Sequence, residues 1–116
     1  MARITLVFWR DMPAQVLAGS GRRATRVELS PRFAEAIDRA AMAGGARDEG
    51  AYLDGWHRLG PFEVAGTDAE ATTALADRIE TLCTDDWLRA RIASGGTDPD
   101  AARTLLAALL PDTPAD

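Results

Sequence analysis

The residues best suited to chemistry lie where an apolar run ends, in Trp-Arg-Asp-Met-Pro-Ala-Gln at positions 9–15. The guanidinium of Arg10 suits bidentate binding of a carboxylate or phosphate, and the ring of Trp9 suits stacking on a ligand ring. Gln15 suits hydrogen bonding to the edge of a base or of a pterin-like ring. The segment predicts a ligand- or partner-binding site that includes Asp11. The alternative is a surface ion pair between Arg10 and Asp11 beside a packed Trp9.

Three further residues are predicted as outer contacts of this site: Arg22, Arg39 and Trp56. Arg22 follows Gly19-Ser20-Gly21, whose backbone amides suit an anion. This segment lacks the Walker spacing and a following helix, so a hairpin turn with solvated arginines is sufficient to account for it.

No catalytic residue, metal site or cofactor is predicted. His57 is the single histidine and has no serine or cysteine near it in sequence, and one histidine with one cysteine makes no zinc signature. Cys83 falls at the C-terminal end of a predicted helix, where the helix dipole opposes a thiolate. The acidic runs Asp85-Asp86 and Asp98-Pro99-Asp100 are typical of helix starts.

The leucines near the C-terminus are a candidate interface. Four leucines occur in the six residues 105–110, more than a narrow helical stripe needs. Leu106, Leu109 and Leu110 are therefore predicted to contact a protein partner or a second copy of the chain. The alternative is that they complete the domain's own core.

Four segments carry strand patterns. Residues 3–9 are rich in β-branched and aromatic types and predict a central strand, and residues 14–18 predict a second. Alternation over residues 23–29 predicts a half-buried strand in a hairpin with the second. Residues 56–64 predict an edge strand, because Pro61 cannot donate a backbone hydrogen bond.

Helices are predicted to follow these strands. The first begins at Ser30-Pro31 and ends at Gly44-Gly45. Shorter helices are predicted near residues 48–55, 85–93 and 99–110, and the sequence Thr67–Glu70 is a capping box that opens a long helix. The predicted core residues of the helices are Phe33, Ile37, Ala40, Ala41, Tyr52, Leu53, Leu75, Ile79, Leu82, Trp87, Leu88, Ile92 and Leu105.

These elements predict an α+β fold, a small and mostly antiparallel sheet of three to four strands packed against four to five helices. The chain of 116 residues suits one domain, which we expect to span residues 1–110, with residues 111–116 as a frayed tail.

The charge is distributed unevenly along the chain. Residues 1–47 carry eight arginines and four acidic residues, whereas residues 48–116 carry five arginines and fourteen acidic residues. The net charge of −5 argues against nucleic acid as a partner, since a basic footprint dominates that affinity. The first apolar run stops at Arg10, too short for a signal peptide or a membrane span, so we expect a cytoplasmic protein that does not bind membranes.

Several of these runs resemble one family. The run Ile4–Val16 resembles the opening of the small bacterial "virulence factor" domain family. Leu29–Phe33, Ala36–Met42 and Tyr52-Leu53 followed by Trp56–Arg58 fit the same pattern, and the similarity spans about residues 2–93. The last helix lies outside it.

The resemblance implies an accessory role. In a larger Gram-positive member this domain is joined to an Nfu-type domain and HEAT-like repeats, which implies a module that docks with others. Single-domain members similar to this chain tend to be encoded near folate- and corrinoid-dependent methyl-transfer proteins. The resemblance supplies no catalytic residues.

Three functional hypotheses follow. The first is a non-enzymatic accessory or binding protein that docks with a larger protein, in folate or corrinoid one-carbon metabolism. It predicts that Arg10→Ala abolishes binding and leaves the melting temperature nearly unchanged. The second is a small enzyme or enzyme subunit for an anionic, ring-containing substrate, in which Arg10 binds the anion and Asp11 or Asp38 moves a proton. The third is a homodimer without a ligand.

Overall fold

The structure is a computed structural model that describes residues 1–19, 21–44 and 49–110. In this part of the chain, four strands form one antiparallel sheet and five helices accompany it, which confirms the predicted α+β class. The strands are β1 Ala2–Trp9, β2 Met12–Ala18, β3 Thr25–Glu28 and β4 Trp56–Val64; the helices are α1 Pro31–Ala43, α2 Glu49–Asp54, α3 Asp68–Leu82, α4 Asp85–Ala93 and α5 Pro99–Leu109. A 3-10 turn at Gly21–Arg23 precedes β3.

The strand order is β3-β2-β1-β4, so β1 is a central strand and β4 an edge strand, as the sequence predicts. Because residues directly opposite each other in an antiparallel ladder share a face, the register defines two faces. Leu6 lies opposite Val16 on β2 and Leu59 on β4. On the other face, Val7 lies opposite Gln15 and Arg58.

The face that carries Ile4, Leu6 and Val16 is covered by α3. These three side chains have no exposed surface, and α3 contacts β1, β2 and β3. Helix α3 buries Leu75 and Ile79 there and begins at the predicted capping box, in which Thr67 and Glu70 exchange hydrogen bonds. The main core lies between this helix and the sheet.

Of the described elements, α1, α2 and the connection between α4 and α5 cover one end of the opposite face of the sheet. Phe33 and Ile37 of α1 and Tyr52 of α2 lie beside Gln15 and Trp56 there. Helix α4 in turn packs on α1. The rest of this face carries exposed charged side chains, among them Arg26 and Arg58.

Several local predictions fail for one reason: the periodicity of a helix does not reveal which other element packs against each of its side chains. Leu53 and Leu82 are 55% and 40% exposed, not core residues. Ser30 precedes α1 but its side chain does not cap that helix; its hydroxyl donates to Glu80 of α3 instead. Ser20, Gly45 and the predicted tail at 111–116 lie outside the described residues.

Candidate functional site

Trp9 is the centre of the end of the sheet where the functional residues were predicted. Its ring has no exposed surface, and its Nε1 donates a 2.7 Å hydrogen bond to the carbonyl oxygen of Tyr52. The rings of Trp9 and Tyr52 stack with their centroids 5.9 Å apart. Gly55 and Gly96 close over the indole, since a Cβ at either position would lie within 2.7 Å of it. Trp9 is therefore packed into the fold and presents no open ring face.

Arg10 occupies the turn between β1 and β2 and covers Trp9. It is the one described non-glycine residue with a positive φ, at 52°. Its guanidinium lies 4.6 Å from the centroid of the Trp9 ring, and Nη1 donates a 2.7 Å hydrogen bond to the carbonyl oxygen of Gly95. The Arg10 amide donates to the carbonyl oxygen of Gly55. The side chain thus ties the sheet to the α4–α5 connection.

Asp11 is bonded to the same connection. Its amide donates to the carbonyl oxygen of Gly96 at 2.8 Å, and its Oδ2 accepts a 2.6 Å hydrogen bond from the amide of Asp98, which precedes α5. On the neighbouring strand, Nε2 of His57 lies 2.5 Å from the carbonyl oxygen of Arg10. The carboxylate of Asp11 fixes the start of the last helix.

These contacts change the interpretation of the Trp9–Asp11 segment. The sequence predicts an anion held by Arg10 and a ligand ring stacked on Trp9, but both groups are engaged within the fold. The alternative of an Arg10–Asp11 ion pair is also absent from the described residues, although Trp9 is packed as that alternative supposed. The sequence could not show these bonds because their partners lie in the α4–α5 connection. Gly95, for example, is 85 positions from Arg10 along the chain.

A groove of about 230 Å³ lies beside this cluster, between α1 and the sheet. We call it the α1–sheet groove; it is lined by Ala14, Gln15, Glu28, Leu29, Phe33, Ala34, Ile37, Asp38, Tyr52 and Trp56. Two of the predicted contact residues, Gln15 and Trp56, therefore lie in one groove. Tyr52 and Trp56 meet edge to face, with centroids 6.0 Å apart.

Trp9 and Arg10 support this groove from within. The stack runs from the Arg10 guanidinium to Trp9, then to Tyr52 and finally to Trp56. Because each ring is held by the one before it, the half-buried faces of Tyr52 and Trp56 are fixed before any ligand arrives. Arg10 therefore acts on the groove indirectly, as a positioning residue.

The polar groups of the groove are two carboxylates and one amide. Glu28 and Asp38 are exposed, and Nε2 of Gln15 lies 3.5 Å from Oε1 of Glu28. Among the residues that the structure describes, no cationic side chain lines the groove. Carboxylates beside the faces of aromatic rings attract cations through both charge and the ring quadrupole. The groove is suited to a cationic group, whereas the sequence predicted an anion.

The remaining predicted contact residues lie elsewhere. Arg22 is exposed in the 3-10 turn before β3. Arg39 lines a different groove of about 230 Å³ between α1 and α4, together with Arg32 and Asp85. Neither shares a groove with Gln15 and Trp56.

The C-terminal leucines pack mainly within the chain. Leu109, predicted at an interface, is 3% exposed and belongs to the core, and Leu106 and Leu110 are half-buried against that core. Leu109 thus completes the domain's own core, as the alternative supposed, because α3 supplies apolar surface for α5 to cover.

The family comparison fits the part of the chain that forms this site. The family model described as "Virulence factor" matches residues 7–92. The chain belongs to the Virulence factor family. The range matched to this family contains every residue of the α1–sheet groove and ends before α5. No curated protein and no solved structure matches the chain.

Of the ten described residues that line the groove of this Virulence factor family member, the sequence analysis predicted two, Gln15 and Trp56, as contact residues. Phe33 and Tyr52 were predicted as core residues, and Glu28 was not predicted at the site. The usable signal was the alternation in β3, which places Glu28 on the same face as Gln15 once the β2–β3 hairpin is accepted. Asp38 entered only as an alternative proton carrier.

Membrane spans and metal clusters are both absent from residues 1–19, 21–44 and 49–110. No helix there is long and apolar enough to cross a membrane. No three His, Cys, Asp or Glu side chains of these ranges meet in a metal-binding cluster.

Proposed function

We propose that this chain is a non-enzymatic binding module that docks on a larger protein through the α1–sheet groove. The observation that carries the proposal is the composition of that groove, in which the rings of Tyr52 and Trp56 stand beside the carboxylates of Glu28 and Asp38. Rings held at fixed positions bind a partner side chain with little loss of conformational entropy. Aromatic residues are also the commonest anchors of protein interfaces.

The group that fits the groove is a basic side chain of the partner, an arginine or a lysine. Its charge would lie between Glu28 and Asp38, and its stem would pack on Trp56. The second N–H of Gln15, beyond the one directed at Glu28, would donate to a partner carbonyl. A volume of about 230 Å³ suits one long side chain rather than a complete cofactor.

The larger protein that we propose is a folate- or corrinoid-dependent methyl-transfer protein. Support comes from the family resemblance, because small members of this family tend to be encoded near such proteins. The groove supports docking of a basic segment, and its residues do not indicate which reaction the partner catalyses. The chain would contribute binding, and the partner would contribute the chemistry.

The test is affinity purification of the tagged chain from its native cells at low salt, followed by reconstitution with the purified partner. The decisive variant is the double substitution Glu28→Gln and Asp38→Asn, which removes both charges and keeps the side-chain shapes. The matched control is Glu35→Gln with Asp77→Asn, two exposed acidic residues on helices outside the groove. Both pairs change the net charge equally.

We expect a methyl-transfer protein to bind the wild-type and control chains equally and the groove variant at least about tenfold more weakly. Titration calorimetry measures the three affinities. A partner that binds the groove variant as tightly as the wild type would show that the groove is not the docking site. A folded chain that binds no such partner would contradict the one-carbon assignment.

A further inference from the structure

The rest of the sheet face away from α3, which none of the described helices covers, forms a second surface. Opposite pairs in the ladder place Leu17 beside Arg26 on one side and Thr5 on the other, Val7 beside Arg58, and Arg3 beside Glu63. We call this surface the arginine face; its members are Arg3, Thr5, Val7, Leu17, Arg26, Arg58 and Glu63. Arg3, Arg26 and Arg58 are exposed above a floor of Thr5, Val7 and Leu17.

The three arginines of this face have no anionic partner in the described part of the chain. Five other arginines behave differently: Arg32, Arg89, Arg91 and Arg103 form ion pairs and Arg10 is bonded to Gly95. Arg3 stands directly opposite Glu63, yet no ion pair forms between them. In a protein of net charge −5, the arginine face therefore carries three arginines and one carboxylate, that of Glu63, and it borders Glu28 of the groove on β3.

We propose that the arginine face binds an extended acidic segment of a partner protein. This proposal is independent of the α1–sheet groove. Arg26 on β3 and Arg58 on β4 are separated by three strand spacings and one two-residue step, roughly 16 Å between their backbones. Carboxylates four residues apart on an extended peptide lie roughly 14 Å apart and project to the same side. An extended segment therefore matches the spacing of the arginines.

The composition of the face favours a peptide over a nucleic acid. Sheets that bind single-stranded RNA use aromatic side chains to stack bases, and the floor here is Thr5, Val7 and Leu17. A phosphate backbone is uniformly negative, so it would be repelled by Glu63. An acidic peptide can place its carboxylates beside Arg26 and Arg58 and a neutral or basic residue beside Glu63.

The test is a titration of the ¹⁵N-labelled chain, followed by NMR, with a peptide of about nine residues that carries Glu at every fourth position and Thr or Val between. We expect backbone amide shifts in β1, β3 and β4, which weaken as salt rises from about 20 to about 200 mM. Substitution of Arg3, Arg26 and Arg58 together by Gln raises the apparent Kd about tenfold, and substitution by Lys retains most of the affinity.

The matched control is substitution of Arg39, Arg89 and Arg103 by Gln, exposed helical arginines that change the net charge equally. We expect this triple variant to bind the peptide within about twofold of the wild type. If both triple variants lost peptide affinity equally, the net charge of the protein would account for the loss, and the proposal would be overturned. Absence of shifts at low salt in the folded chain would also overturn it.

Two further titrations identify the class of ligand and the surface that binds it. An oligonucleotide of matched charge that shifts the same amides at lower concentration would make the face a nucleic-acid surface instead. The groove variant with Glu28→Gln and Asp38→Asn should keep its affinity for the acidic peptide. Failure of the groove proposal and failure of this one are therefore distinguishable.

Discussion

Nη1 of Arg10 donates a 2.7 Å hydrogen bond to the carbonyl oxygen of Gly95, 85 positions further along the chain. Gly44 stands against the same guanidinium, since a Cβ at position 44 would lie 2.7 Å from Nη1. One arginine therefore joins the β1–β2 turn, the end of α1 and the α4–α5 connection. A residue that has the appearance of a ligand contact in the sequence is a structural contact in the fold.

Arg10→Ala should destabilise the protein, whereas the sequence alone predicts an unchanged melting temperature. The substitution removes a charged hydrogen-bond donor and the cover of Trp9, so we expect the free energy of unfolding to fall by about 2 kcal/mol. Urea denaturation measures it. Arg39→Ala, at an exposed arginine outside any ion pair of the described residues, is the control and should change the value by less than about 0.5 kcal/mol. Equal stabilities of the two variants would show that the Arg10 contacts contribute nothing.

Gly96→Ala should be more destabilising than Gly21→Ala. Both glycines have positive φ, 85° and 70°, so alanine is strained at either position. A Cβ at position 96 would also lie 2.7 Å from the Trp9 ring, while one at position 21 would meet nothing within 4 Å. The difference between the two variants isolates overpacking against Trp9, and we expect it to be about 1–3 kcal/mol. Thermal denaturation of both proteins checks the order, and a reversed order would contradict it.

The sequence predicts the elements of this fold better than their contacts. Strand alternation, the Thr67–Glu70 capping box and the position of Pro61 depend on neighbours along the chain, and the structure contains all three as predicted. The roles of Arg10 and Asp11 depend on the α4–α5 connection, which no local pattern relates to the β1–β2 turn. Gln15 and Trp56 share a groove because α1 and α2 pack beside this end of the sheet, a relationship that no local pattern reveals. Residue types along the sequence identified the candidates, but the tertiary structure determines which groups they contact.

Glu80 of α3 binds the start of α1. Its two carboxylate oxygens accept hydrogen bonds from the amide and the hydroxyl of Ser30 at 2.6 and 2.8 Å, and Arg32 donates to it at 3.0 Å. Burial alone would raise the pKa of Glu80, but these hydrogen bonds and the charge of Arg32 outweigh it and lower that pKa below 4.5. The carboxylate therefore stabilises the fold most when it is ionised.

This shift predicts a pH dependence that Glu80→Gln removes. A lowered folded pKa gives a stabilisation that is present above the unfolded pKa of 4.5 and is lost as the pH falls through the folded pKa. At neutral pH we expect the substitution to cost about 1 kcal/mol of unfolding free energy. Denaturation at a series of pH values should show that cost shrinking below pH 4.5, with Glu35→Gln as an exposed control. A cost that stays constant down to acid pH would contradict the assignment.

Cys83 should be unreactive until the protein unfolds. Its side chain has no exposed surface, and burial raises the pKa of the thiol to about 12. Since the thiolate is the reactive form, a pKa raised from 9.0 to about 12 lowers the thiolate fraction at pH 8 about a thousandfold. We expect a disulfide reagent such as DTNB to modify the native chain at least that much more slowly than the urea-unfolded chain.

The Gly96→Ala variant should react with the reagent faster than the wild type at intermediate urea, because a less stable protein unfolds more often and exposes Cys83. Rapid modification of the folded wild type would show that the thiol is accessible.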